Sequence, residues 1–287
     1  MASLKEVKGR IASVNNTRKI TSAMKMVASA KLHKAQAAIE SMLPYERRLH
    51  HILTDFMSNC TEVTSPFIVK REVKKVAVVV FASNTSLCGG FNANVIRHLV
   101  DLLAEYKPLG LENILVFPVG KKVADAVRKL GFRIEGDFQH MADKPSYQEA
   151  ADLAADLMKR FLHGDVDKVE LLYNHFKSTA SQILTRETYL PIGFNNEKKE
   201  EDRTIDYILE PSAEELMQEM LPKVLRMKMF TVLLDSNAAE HAARTMAMQI
   251  ATDNANELLQ ELTVMYNKSR QQSITNELLD IVGGSMA

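Results

Sequence analysis

Residues 84–92 read NTSLCGGFN, between a β-branched run and a helix-forming stretch. Backbone N–H groups at such a helix start can hold a phosphate. The loop lacks the Lys-Ser/Thr pair of a P-loop and does not match GxGxxG, so a tight turn competes with a nucleotide cradle. Cys88 lies near the same helix start, where a thiol pKa can fall. No histidine stands beside it in sequence to serve as its base. His50 and His51 adjoin each other and cannot share a metal-binding face as HxxxH would. No CxxC, HExxH or paired-carboxylate signature is present. Asp152 and Asp156 stand four apart, which a solvated helix face explains. The residue types therefore point to no catalytic centre, no metal site and no cofactor.

The C-terminal run SRQQSITNELLDIVGGSMA offers different chemistry. Arg270, Gln271, Gln272, Thr275 and Asn276 are hydrogen-bonding groups suited to directional contacts. Ile274, Leu278, Ile281 and Val282 require an apolar environment. A frayed, solvated helix end would not need those four. An external socket around the end of the helix would.

Two long helices must position these residues. In the first, steps of three and four give Leu4, Val7, Ile11, Val14, Arg18, Thr21, Lys25, Ala28, Leu32, Ala35, Ile39, Met42, Glu46, Leu49, Leu53 and Phe56. That is a coiled-coil seam with a polar interruption at Arg18, Thr21 and Lys25. Pro44 should kink or break the helix. In the last helix the seam is Val224, Met227, Thr231, Leu234, Ala238, His241, Thr245, Met248, Thr252, Ala255, Leu259, Leu262 and Tyr266. It then loses its apolar character, so the final turns should not pack on the same partner. At ~1.5 Å per residue the helices would be roughly 80 and 100 Å long, beyond what a compact domain buries.

Between them the period changes. Residues 76–83 form a short buried-strand pattern, and 113–120 a second. Residues 121–131 form a short helix stopped by Gly131. RIEGDFQH is a candidate third strand. Residues 146–164 form an amphipathic helix with Ser146 and Glu149 spaced as a capping box. Two closing strands follow. Ser212 and Glu215 repeat the capping-box spacing at the start of the last helix. The fold class is α/β: a long antiparallel coiled coil of the terminal helices plus a central open, Rossmann-like α/β domain. Its parts are an N-terminal coiled-coil helix (1–57), a linker (58–75), the α/β domain (76–194), an exposed charged connection (195–211) and a C-terminal coiled-coil helix (212–287).

Charge is balanced overall, with 36 basic and 36 acidic residues. Its distribution is not. Residues 1–39 carry eight lysines and arginines against the single acid Glu6, while the C-terminal helix is acid-rich. Such ends suit each other, or charged partners. Two cysteines, Cys60 and Cys88, do not make a disulfide framework, which fits a reduced, intracellular setting. No run approaches a membrane span, and no signal peptide is visible. Balanced charge, interleaved apolar residues and few aromatics weigh against a nucleic-acid partner.

ITSAMKMVASAKL near the N-terminus, LCGGFN after the first strand, and EHAARTMAMQIATDNANELLQELTVMYNKSRQQSITNELLDIVGG at the C-terminus resemble the gamma subunits of rotary, proton-translocating ATP synthases. The likeness runs through the whole chain in order. The family's usual Asp-Arg-Gly before LCGG is replaced by Asn84, Thr85 and Ser86. The paired-cysteine insert of chloroplast members is missing, and the short connection looks bacterial. The resemblance implies a non-catalytic central shaft, one copy per complex. Its coiled coil would sit inside a hexamer of three alpha and three beta subunits. Its α/β domain, with the epsilon subunit, would stand on the c-subunit ring. Proton flow through that ring would turn the shaft and drive ATP synthesis by cyclic conformational change of the beta subunits. The location implied is peripheral, on the cytoplasmic face of the bacterial inner membrane. By position, Arg270, Gln271, Thr275 and Glu277 match residues that touch beta-subunit loops. Met24, Lys25 and Lys31 match an N-helix segment facing beta-subunit levers. Tyr207 and Glu210 match the foot near epsilon and the c ring. Two other classes compete: an α/β enzyme using the NTSLCGG loop, and a coiled-coil nucleic-acid binder.

Overall fold

The computed structural model describes residues 3–59, 65–193 and 213–285. Helix α1 (Leu4–Asn59) is followed by β1 (Val76–Phe81), α2 (Phe91–Tyr106), β2 (Ile114–Val119) and α3 (Lys121–Lys129). Then come β3 (Arg133–Ile134), α4 (Gln139–Asp143), α5 (Tyr147–His163), β4 (Lys168–Ser178), β5 (Ser181–Leu190) and α6 (Ala213–Ser285).

The five strands form one sheet in the order β3-β2-β1-β4-β5. All neighbours are parallel except β4 and β5, which make an antiparallel hairpin. Every residue of β1 and β2 is buried. The reason is a helix layer on each face, so both sides of the pleat must be apolar. Val76, Val78 and Val80 face a core with Val95 and Leu99 of α2 and Val123 of α3. Ala77, Val79 and Phe81 face a second core with Leu157 and Phe161 of α5.

That second core continues into the long helices. Leu53 of α1 and Met217, Leu221, Leu225 and Met229 of α6 belong to it. Between Met227 and Leu234, α6 also buries Phe230, Val232 and Leu233, so it is apolar on nearly every side. A helix that is apolar all round must be enclosed. The shaft is rooted in the α/β core rather than attached to it.

The candidate third strand reduces to the two residues Arg133 and Ile134. Gly131 and Gly136, both at positive φ, bracket it. The capping box at α5 does not form. Ser146 is the N-cap, but its side chain caps nothing. Glu149 is instead drawn to His140 Nδ1 on α4, at 2.8 Å. The second capping box starts at Ser212, outside the described residues, as does the connection 195–211. Pro44 and Pro222 both lie within continuous helices, so neither breaks its helix.

Candidate coupling surface

The sequence seams of α1 and α6 face each other. Val7, Ala28, Leu32 and Ala35 of α1 are buried, as are Ala238, Met248, Ala255 and Leu262 of α6. The polar interruption stays in the seam. Thr21 Oγ1 lies 2.8 Å from Thr252 Oγ1, and Arg18 Nη1 donates to Asn256 Oδ1 at 3.3 Å. Asn15 Oδ1 holds the other guanidinium nitrogen at 2.9 Å. The helices run antiparallel, and the residue numbers of these facing pairs sum to 273 and 274. On that register Leu4 stands opposite Ser269 or Arg270, so among the described residues nothing of α1 lies beside the rest of α6.

This explains the tip. Residues 270–282 are all exposed. Ile274 is 49% exposed, Leu278 57%, Ile281 68% and Val282 53%. Arg270, Gln271 and Glu277 stand out among them. Thr275 turns its hydroxyl back onto the Gln271 carbonyl, at 2.9 Å. The tip is thus an apolar and polar helix surface that lies beyond α1 and is exposed along its length.

On α1, Met24 and Lys25 are half-buried at the seam edge and Lys31 is exposed. Ile20, Met26 and Val27 are exposed beside them. Among the described residues, none of Lys5, Lys8, Lys19, Lys25, Lys31 and Lys34 forms an ion pair with α6. Among the described residues these lysines thus leave a basic face open to other surfaces. Lys31 does act at short range on two buried groups of α6, Glu240 and His241. Burial, then the charges of Lys31 and Arg244, push the His241 pKa down to about 4, so its ring is neutral at pH 7. Burial raises the Glu240 pKa, against the pull of Arg244 at 2.6 Å.

The loop after β1 is braced at every turn. Asn92 Nδ2 donates to Ser83 Oγ at 2.7 Å and to the Thr85 carbonyl at 3.3 Å. Asn84 accepts the Lys121 N–H at 2.8 Å, at the start of α3, and donates to the Gln139 carbonyl at 2.8 Å. Arg244 reaches from α6 to the Ser86 carbonyl. Cys88 is 2% exposed and packs with Phe91, Ala239 and Ala243. Gly89 takes φ +59, a left-handed backbone that favours glycine. The loop is a bracket between the sheet and the shaft, with its thiol out of reach of a substrate. Arg244 and Glu240, missed from sequence, announce themselves only as an i, i+4 pair.

A cavity of about 460 Å³ lies away from the coil, lined by Lys75, Glu112, Arg133, Asp156 and Arg160 among others. Its arginines are already engaged, Arg133 by Glu135 and Arg160 by Asp156 and Glu135. Among the described residues no cluster of His, Cys, Asp and Glu could hold a metal. Tyr207, Glu210 and Cys60 lie outside the described residues, as do the side chains of His50 and His51.

A paired-helix shaft, an open tip and a bracketed α/β domain match known proteins along the full chain. The family model described as ATP synthase covers residues 3–287. The ATP synthase gamma chain of Phocaeicola vulgatus is 82% identical, covering 100% of both chains. The chain belongs to the ATP synthase gamma chain family. The gamma chain of Bacteroides fragilis is 63% identical, again over 100% of both. Among solved structures, a chain of the Euglena gracilis mitochondrial ATP synthase (OSCP/F1/c-ring) has a TM-score of 0.63 at 21% identity, covering 99% of this chain and 93% of that one. A chain from the Tetrahymena thermophila mitochondrial ATP synthase central stalk and c ring has a TM-score of 0.58 at 21% identity, covering 81% and 99%. Those likenesses carry the fold. No described helix is long and apolar enough to cross a membrane.

Proposed function

We propose that the chain is the rotating central shaft of its ATP synthase and performs no bond chemistry itself. The observation that carries this reading is the exposed tip of α6 beyond α1. Its apolar residues Ile274, Leu278, Ile281 and Val282 are exposed together with Arg270 and Gln271. Leaving such a surface in water is unfavourable, so a surrounding partner is expected. A ring of three alpha and three beta subunits, with one shaft per complex, would supply it. Arg270, Gln271, Thr275 and Glu277 would meet beta-subunit loops, while Met24, Lys25 and Lys31 would meet beta-subunit levers lower on the coil. The α/β domain would stand with epsilon on the c ring, with Tyr207 and Glu210 at the foot, on the cytoplasmic face of the membrane. The division into two coil helices, a linker, an α/β domain and an exposed connection belongs to the same reading.

The contacts must bias the beta subunits yet exchange among three equivalent partners. Several weak, screened contacts suit that better than one deep anchor. The buried, braced Cys88 loop favours a structural role over a nucleotide site. A pull-down from native membranes tests the proposal. Recovery of a large ATPase carrying one copy of the chain is expected; recovery of the chain only as a free monomer sinks it.

A further inference from the structure

A shaft that turns a foot must grip it against rotation. Apolar packing between α6 and the sheet resists separation, but it has no direction and resists sliding weakly. Directional polar bonds do the rest, and charge-assisted ones do it best. Among the described residues, four other polar ties join α6 to the α/β domain. Tyr189 to the Leu225 carbonyl and Asn237 to the Ala142 carbonyl are neutral pairs, and Arg244 gives one charge-assisted bond to the Ser86 carbonyl at an exposed position. Lys228 and Glu187 pair at 2.9 Å through partly exposed side chains, where solvent screening leaves little.

Asp235 is different. Its carboxylate is 15% exposed and makes two bonds to one strand. Oδ1 accepts the Phe176 main-chain N–H at 2.8 Å, and Oδ2 meets His175 Nδ1 at 2.6 Å. His175 and Phe176 lie where β4 has run past its pairing with β1 and is held only by β5. The hairpin there projects beyond the sheet. Asp235 sits on the stretch of α6 that packs on the α/β domain and on α1 together. Just before it, Val232, Leu233 and Leu234 pack in the domain core; just after it, Ala238 and Ala242 pack on Leu32 and Ala35 of α1. Phe176 packs against that second group and also against Cys88, Phe91, Ala239 and Ala243.

We propose that Asp235 is a positioning residue that fixes the angular setting of the α/β domain on the shaft, so that torque passes between them through the β4–β5 hairpin. The proposal rests on the shaft reading above. It is tested in the assembled ATP synthase in inverted membrane vesicles, by ion pumping per ATP hydrolysed. With the lock loosened, hydrolysis at the ring continues while less of each turn reaches the foot. Asp235→Ala is expected to lower the pumping-to-hydrolysis ratio at least about threefold. Asp235→Asn, which keeps an oxygen for the Phe176 N–H, should retain most of it. His175→Asp sets a like charge against Asp235 at a half-exposed position that folding tolerates; it should lower the ratio too, with partial rescue by adding Asp235→Asn. Should Asp235→Ala not assemble, His175→Asp decides. An unchanged ratio in His175→Asp, or equal declines of hydrolysis and pumping in Asp235→Ala, overturns the lock and leaves the shaft reading standing. A wild-type chain that supports no pumping in the same vesicles removes both.

Discussion

The hydroxyls of Thr21 and Thr252 lie 2.8 Å apart across the coiled-coil seam, and each also lies near a carbonyl of its own helix. Thr21 reaches Arg18 O at 3.0 Å and Thr252 reaches Met248 O at 2.8 Å. Two hydroxyl protons serve three contacts, so when the threonines bond each other one carbonyl goes without this extra bond. Each threonine keeps a local partner if the other is lost.

Thr252→Val should therefore cost less than about 1 kcal/mol, because the Thr21 hydroxyl still bonds Arg18 O. The double change to valine should be neutral or stabilising. Urea midpoints of the isolated subunit check this. A loss above about 3 kcal/mol for the double variant would show the pair to be essential to the seam.

Arg270 is exposed and stands opposite the first residue of α1 on the coil register. Arg270→Ala should leave the melting temperature of the isolated chain within about 1 °C. ATP synthesis by the assembled complex should fall about tenfold, since a directional contact to a partner is lost. A melting shift as large as the activity loss would place Arg270 in folding instead.

Lys25 sits at the seam edge without an ion pair among the described residues. Lys25→Glu should lower coupled ATP synthesis several-fold while costing less than about 1 kcal/mol of subunit stability. Equal losses in synthesis and melting would return the residue to ordinary packing.

His241 gives a pH dependence with a definite sign. Its folded pKa, about 4, lies below the usual histidine value of 6.5 because of burial and the charges of Lys31 and Arg244. The folded chain thus holds fewer protons than the unfolded chain between those values. The stabilisation is complete above pH 6.5 and drains away as pH falls toward 4, at up to about 1.4 kcal/mol per pH unit. His241→Leu should flatten that acid limb in denaturant titrations run across the window. Parallel acid limbs in both proteins would refute the assignment.

The long helices were legible because their seams obey one period over many turns, and even the polar residues at Arg18 and Thr21 kept their seam positions. What those residues meet was not legible. Their spacing fits a contact outside the coil as well as one within it, and only the opposing Asn256 and Thr252 decide for the coil. The capping box at Ser146 failed for a similar reason: Glu149 had a nearer suitor in His140, nine residues away on another helix. Asp235 was unreadable because its partners, His175 and Phe176, lie 60 and 59 residues away. Short-range rules see periodicity well and see pairwise choices poorly.

The constant sum in the coil register works as a ruler. Each residue of α1 has one address on α6, and a single inserted residue in either helix would turn every address beyond it by about 100°. Removing seven residues from one helix and the seven opposite them from the other restores the match, because seven residues make nearly two whole turns. The shaft would be about 10 Å shorter, with every face still pointing the same way. Its reach and its phase are separate quantities, and length can change while orientation is inherited intact.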